Sequence, residues 1–176
     1  MNKYIVTGGL GFVGNEVVRQ LLSLDKEVYI IDSKNRIAPD IDDIKKVPVY
    51  EIDILDKVNI NNLFKELKPD CVIHLAAIHF IPECNENKSR TLRVNVEGTQ
   101  IILESAALNN VKHVVTTSSG AVYEDSEHPL NEKNTIVEPV DIYGLSKYFS
   151  EKIAVNISKD FNLPITVVRL FNVYGP

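Results

Sequence analysis

The chain has 176 residues, a formal net charge of −5 and a sequence pI near 5.4. This length suits one domain over residues 1–176, and the acidic balance argues against a nucleic-acid surface, which needs clustered lysine and arginine. No run of 18 apolar residues is present, so the sequence predicts no membrane partner and a cytoplasmic setting. Cys71 and Cys84 form no CxxC pattern, and we expect neither a disulfide framework nor a metal site.

Short β-rich runs alternate along the chain with segments whose apolar residues recur at helical spacing. The predicted strands cover residues 4–6, 27–31, part of 47–54, 70–75, 111–118 and 165–170. The predicted helices cover residues 12–24, 58–67, about 89–108 and 143–161. A polar stretch at 124–141 contains two prolines and is predicted to be a functional or mobile loop.

The predicted strands are apolar without a clear alternation of polar residues, which is typical of parallel strands covered by helices on both faces. Since crossover connections between parallel strands are right-handed, the order of elements predicts an α/β fold. Its architecture is a doubly wound parallel sheet with helices on both faces.

A glycine-rich loop follows the first strand and opens the first helix. Four of the eight glycines lie in residues 8–14, and Gly8, Gly11 and Gly14 form a GxxGxxG pattern. Gly8 allows a tight turn, Gly11 lets the backbone approach a pyrophosphate, and Gly14 lets helix and strand pack closely. The backbone N–H groups of the first helical turn, at Phe12, Val13 and Gly14, would then face the phosphates. The alternative is an ordinary tight turn.

Asp32 ends the second predicted strand, 18 residues past Gly14. A carboxylate at this place accepts hydrogen bonds from both ribose hydroxyls and repels a 2′-phosphate, which favours NAD over NADP. Lys34 and Arg36 follow closely, so weak use of NADP stays open.

Two motifs carry a family resemblance: Thr7-Gly8-Gly9-Leu10-Gly11-Phe12-Val13-Gly14 and Tyr143-Gly144-Leu145-Ser146-Lys147. With both present, the chain resembles the extended short-chain dehydrogenase/reductases and, more narrowly, the NAD-dependent nucleotide-sugar epimerase/dehydratase family. Further matches follow in the family's order at Asp53-Ile54, His74 to Ala77, Asn95 to Thr99, Thr117 to Tyr123 and Arg169 to Pro176. The resemblance implies a Rossmann-type domain, NAD as the cofactor and a nucleotide-sugar as the substrate.

The resemblance also implies roles for residues at the ends of the strands. Cofactor contacts are expected at Asp53, Ile54, Leu75, Ala76, Ala77, Asn95, Ser118 and Leu170, together with Tyr143 and Lys147. Substrate contacts are expected at His79, Ser119, Phe171 and Asn172. Three of these positions keep alternatives. His79 is either a substrate contact or a surface-loop histidine, Asn95 either bonds near the site or caps a helix, and Ser118 is the fallback for Ser119. His74 is expected to be a hydrogen-bonded core histidine.

Tyr143 and Lys147 are four residues apart and therefore share one face of the last predicted helix. The phenol is the expected general base, and a base that works near neutral pH needs a lowered pKa. The Lys147 ammonium and a positive nicotinamide ring both favour the phenolate. Ser119 is expected to bind the substrate hydroxyl and relay its proton. The alternative is an ordinary exposed helix start, since YxxxK also occurs by chance.

The reaction type follows from the two residues after Ser119. Dehydratases of the family carry an acid pair there, whereas this chain has Gly120 and Ala121, so epimerisation is expected, with a reductase or dehydrogenase as the alternative. Family members typically exceed 300 residues, and the chain therefore resembles their N-terminal half. It would then be a truncated chain, a natural fragment or one piece of a split enzyme. A non-catalytic NAD-binding module is a further alternative. The family also implies a homodimer through helices 96–109 and 143–161.

Overall fold

A computed structural model describes residues 2–33, 46–123 and 128–175. Six parallel strands form one sheet in the order β3-β2-β1-β4-β5-β6. The strands are β1 (Lys3–Thr7), β2 (Glu27–Asp32), β3 (Val49–Glu51), β4 (Cys71–His74), β5 (His113–Ser119) and β6 (Ile165–Leu170). The helices are α1 (Phe12–Ser23), α2 (Lys57–Leu67), α3 (Ile81–Glu86), α4 (Lys88–Leu92), α5 (Gly98–Leu108) and α6 (Ile142–Phe161).

The sheet is covered on both faces, as the sequence predicts. Neighbouring residues of one strand point to opposite faces. Thus Ile5 joins the larger apolar cluster with residues of α2, α5 and α6, whereas Val6 joins a smaller cluster with Val18 of α1. All six predicted strands are present. The third has only three residues and pairs within the described chain with β2 alone.

Two features were not predicted. Helix α3 forms directly after the β4 loop, with Pro82 in its first turn, where the absent N–H has no intrahelical role. The segment between α4 and α5 is a π-helix, Arg93–Glu97, so the helix predicted over 89–108 is continuous but locally widened.

Several predictions fall on residues outside the described ranges. These are Lys34 and Arg36 after β2 and the first part of the predicted loop at 124–141. Residues 128–141 of that loop form neither helix nor strand. Cys71 and Cys84 are both buried free thiols. Within the described ranges, no helix combines the length and apolar character that crossing a membrane requires.

Candidate active site

The sheet order reverses between β1 and β4, and the loops that leave these two strands lie side by side at their carboxyl ends. Thr7 joins them, because its Oγ1 accepts the backbone N–H of Leu75 at 3.2 Å and of Ala76 at 3.3 Å. Gly8 has a φ of +70°, and a Cβ there would lie 2.8 Å from the Ala76 nitrogen. Glycine is therefore required, and the two loops line the crevice where a doubly wound sheet binds its ligand.

The first turn of α1 supplies backbone donors to this crevice. Gly11 is the residue before the helix, and no side chain caps it. Its own N–H is bonded to the Gly8 carbonyl at 3.0 Å. The N–H groups of Phe12, Val13 and Gly14 donate no hydrogen bond to any described residue. Such donors at the positive end of a helix dipole match a diphosphate, so the glycine loop fits the phosphate part of NAD.

Asp32 is buried at the end of β2 and lies against the glycine loop. One carboxylate oxygen accepts the Leu10 N–H at 2.9 Å, and the other accepts the Ser33 N–H at 2.8 Å. Because each oxygen can accept more than one hydrogen bond, these contacts orient the carboxylate and leave it acceptors for ribose hydroxyls.

The residues predicted around the rest of the cofactor lie on several strand ends. The carboxylate of the exposed Asp53 accepts a hydrogen bond from the Leu55 N–H at 2.9 Å. The Ile54 side chain is buried and packs against Gly98. Leu170 pairs with Ser119 in the sheet register. The neighbouring Ser118 is buried. These positions are compatible with the predicted contacts, which stay predictions.

Asn95 lies in the middle of the π-helical segment, so the alternative that it caps a helix is wrong. Its Oδ1 accepts the N–H of Ile78 at 2.8 Å, and its Nδ2 donates to the carbonyl of the same residue at 2.9 Å. Ile78 lies in the loop after β4. The Asn95 amide also donates to Ser146 Oγ at 2.9 Å, and that hydroxyl donates to the Tyr143 carbonyl at 2.7 Å. Asn95 therefore ties the β4 loop to the first turns of α6.

His74 is a hydrogen-bonded core histidine, as predicted. Its Nδ1 lies 2.6 Å from Thr7 Oγ1 and its Nε2 lies 3.0 Å from Thr99 Oγ1. Burial, with a contribution from the Lys147 charge, lowers the pKa of His74 to about 3. The imidazole is therefore neutral near pH 7 and holds β1, β4 and α5 together.

Helix α6 places Tyr143 beside the end of β5. Asp141 caps the helix by accepting the Gly144 N–H at 2.7 Å. A Cβ on Gly144 would overlap the Ala121 carbonyl oxygen, so glycine lets the first turn approach the Ser119 turn. Ser119 Oγ itself accepts the Ala121 N–H at 3.1 Å. The Ser119 hydroxyl contacts the Tyr143 phenol, and Lys147 lies one turn further along the same helix. Their catalytic roles stay predictions.

The electrostatics of Tyr143 differ from the prediction. Burial raises the pKa of the phenol, and the Ser119 hydroxyl opposes that shift only in part. The expected lowering of this pKa by Lys147 is therefore wrong for the protein alone. Burial also lowers the pKa of Lys147 to about 8, against the opposing charge of Glu151. Both groups are thus shifted toward their neutral forms.

The model of the NAD dependent epimerase/dehydratase family matches residues 4–176. The chain belongs to that family. This membership confirms the predicted Rossmann-type fold and the predicted cofactor, NAD.

Individual members of the epimerase/dehydratase family are similar over nearly all of this chain. A UDP-glucose 4-epimerase of Yersinia enterocolitica is 34% identical and one of Drosophila melanogaster is 31% identical, each over 97% of this chain and 53% of the relative. The chain thus spans about half the length of the curated relatives it matches.

Solved structures of the epimerase/dehydratase family superpose closely on the chain. The UDP-glucose 4-epimerase of Thermotoga maritima with UDP-glucose has a TM-score of 0.92 at 28% identity, over 100% of this chain and 57% of that one. The Thermus thermophilus enzyme in complex with NAD has a TM-score of 0.90 at 29% identity, over 98% and 56%.

The residues predicted on the substrate side are exposed. His79 and Asn172 both face solvent, so neither alternative for His79 is decided. Phe171 is 60% exposed, and its ring stacks on Tyr123 with centroids 6.4 Å apart.

One group of side chains beside the site was not predicted from the sequence. Arg169 on β6 bonds both oxygens of Glu151 on α6 and the hydroxyl of Tyr123. The one signal in the sequence is the position of Glu151, four residues after Lys147 on the same helix.

Proposed function

We propose that this chain is the NAD-binding and catalytic half of a nucleotide-sugar epimerase. Two features at the carboxyl edge of the sheet support the proposal. Unbonded N–H groups at Phe12–Gly14 follow the end of β1, and the Ser119 hydroxyl at the end of β5 contacts Tyr143, one helical turn before Lys147. The similarity to UDP-glucose 4-epimerases supports a UDP-sugar as the substrate.

The glycine loop would hold the diphosphate of NAD, and Asp32 would accept its adenosine ribose hydroxyls, which favours NAD over NADP. When bound, NAD would supply the acceptor for hydride from a sugar carbon and the donor that returns it to the opposite face. Tyr143 would take the proton from the sugar hydroxyl and give it back when the hydride returns, and Ser119 would orient that hydroxyl. Burial raises the pKa of the Tyr143 phenol in the protein alone. Once substrate and cofactor are bound, the Lys147 ammonium and the positive nicotinamide ring would together lower that pKa.

The surroundings of Ser119 favour epimerisation over dehydration. Gly120 and Ala121 follow this serine and carry no proton-transfer group. A Cβ on Gly120 would lie 2.6 Å from two carbons of the Phe171 ring, so the ring covers the place where an acid would stand. The turn therefore offers no side-chain acid or base at these two positions, where loss of water would need a pair of them.

Replacement of the phenol tests the proposal. We expect Tyr143→Phe to reduce interconversion of UDP-glucose and UDP-galactose by about 10²–10⁴-fold, because the proton acceptor is lost. Affinity for NAD is expected to stay within about threefold, since the phosphate site does not involve this hydroxyl. Calorimetric titration with NAD and with NADP, and a coupled assay for UDP-sugar interconversion, give the two values.

Tyr148→Phe is the matched control, because Tyr148 lies on the same helix and its ring contacts Lys152 instead of the site. It is expected to keep both NAD affinity and turnover. Unchanged turnover in Tyr143→Phe would contradict the proposed base. NAD binding with no turnover in the parent chain would instead support the NAD-binding module, an outcome that the half-length match makes worth measuring.

We also propose that the protein is a cytoplasmic homodimer formed through α5 and α6. Leu108 on α5 and Phe149 and Val155 on α6 are exposed apolar side chains, at 61%, 42% and 49%. Burying such side chains against a second copy removes apolar surface from water. Sedimentation at micromolar concentration is expected to show the dimer, and a single monomer species would refute it.

A further inference from the structure

Glu151 is a buried carboxylate beside the catalytic helix face. It lies one helical turn after Lys147 and two turns after Tyr143, so the three side chains share one side of α6. Its side chain is 11% exposed, and a buried carboxylate needs both charge compensation and hydrogen bonds. Arg169 supplies these, with Nε at 2.8 Å from one oxygen and Nη2 at 2.7 Å from the other.

Arg169 connects this carboxylate to the serine turn. It stands opposite Ser118 in the register of β5 and β6. Its Nη1 donates to Tyr123 Oη at 2.6 Å, and its guanidinium carbon lies 4.7 Å from the centre of the Tyr123 ring. Ser119 caps a short 3₁₀ helix, Gly120–Val122, and Tyr123 directly follows it, so these contacts join α6, β6 and the Ser119 turn.

Lys147 is surrounded by few charges. Tyr143 and Glu151 lie on its own helix, His74 lies on β4, and Arg169 lies on β6 behind Glu151. His74 is neutral and Tyr143 is a neutral phenol near pH 7. Among the described residues, Glu151 is therefore the negative charge that faces Lys147, and no carboxylate comes within 4.0 Å of its ammonium.

We propose that Glu151 is a positioning residue that keeps the buried Lys147 protonated, with Arg169 holding the carboxylate in place. The carboxylate opposes the cost of burying the ammonium at a distance too long for a direct ion pair. Direct contact would draw the ammonium away from Tyr143. Arg169 takes both oxygens, and so it keeps the carboxylate from reaching the lysine.

Titration of Lys147 tests this inference. The Cε resonance of ¹³C-labelled lysine is followed against pH by NMR, and the Lys147 signal is identified by its loss in Lys147→Met. Glu151→Gln is expected to lower the pH at which Lys147 titrates by about one unit or more, because a facing negative charge is removed while Arg169 stays. Glu151→Asp keeps the charge and is expected to retain most of the original value.

Two further variants make the result decisive. Glu151→Gln with Arg169→Met replaces the buried pair by neutral side chains, a change that proteins often tolerate, and guards against unfolding of the single variant. Its Lys147 titration is expected between those of the parent and Glu151→Gln. Glu104→Gln, which removes a carboxylate paired with Lys57 at 2.9 Å on α5, is the control expected to change nothing.

An unchanged Lys147 titration both in Glu151→Gln and in the double variant Glu151→Gln with Arg169→Met, with folding verified by circular dichroism, would overturn the inference and leave the pair a purely structural contact. The significance of the charge for catalysis rests on the proposed function. The titration needs neither NAD nor turnover, so its failure is distinguishable from a failure of the proposed epimerase activity.

Discussion

The two ends of the crevice are built from different chemical groups. The proposed phosphate cradle, residues 8–14 with Asp32, consists mainly of backbone N–H groups whose positions follow from the path of the chain. The proposed catalytic corner, Ser119, Tyr143 and Lys147, consists of side chains, and burial shifts the pKa values of Tyr143 and Lys147 toward the neutral forms. The cradle therefore depends on local geometry, and the corner depends on how a distant helix packs on the sheet.

The largest effect is expected where the cradle is tightest. A Cβ on Gly14 would overlap the Gly8 carbonyl oxygen and lie 2.7 Å from Gly9 Cα. Since these are backbone atoms that cannot turn away, Gly14→Ala must open the loop. We expect the free energy of unfolding to fall by about 3 kcal/mol. Affinity for NAD is expected to fall by at least about 100-fold, measured by denaturant unfolding and calorimetric titration.

Gly175→Ala is the control for this change, because a Cβ on Gly175 meets no atom within 4 Å. It is expected to alter neither stability nor NAD affinity. Full NAD affinity in Gly14→Ala would show that close contact between loop and helix is not what shapes the cradle. The cradle would then not depend on its backbone geometry, and the contrast with the corner made of side chains would no longer hold.

The cradle could be predicted from the sequence because its signals are local. Gly8, Gly11 and Gly14 stand at a fixed spacing between a strand and a helix, and the structure places them at that turn. The parallel sheet was predictable for a similar reason, since apolar strands and helical spacing are visible within short windows. Helix α3 and the π-helical segment were missed, because short and irregular helices leave no periodic pattern of their own.

The catalytic corner was only half predictable. The spacing of Tyr143 and Lys147 puts them on one face, and the structure confirms that arrangement. The direction expected for the Tyr143 pKa was wrong for the protein alone, because burial raises this pKa and the Ser119 hydroxyl opposes that shift only in part. The partners of Asn95 and Glu151 were likewise invisible, since Ile78 and Arg169 come near only in the folded chain.

His74 lies between the cradle and the corner, and its titration sharpens the comparison with a smaller effect. Its pKa is about 3 in the folded protein and near 6.5 in an unfolded chain, so between these values the unfolded chain binds more protons. Stability from this group is complete above pH 6.5 and falls as the pH decreases, by about 2 kcal/mol between pH 6.5 and 5.

We expect denaturant unfolding of His74→Gln to show a correspondingly flatter pH dependence of the free energy of unfolding than the parent chain. His113→Gln, which changes a partly exposed histidine at the start of β5, serves as the comparison variant. Equal slopes in His74→Gln and the parent would show that the histidine is not held neutral. The bridge from Thr7 to Thr99 would then not be the fixed connection between the two ends of the crevice.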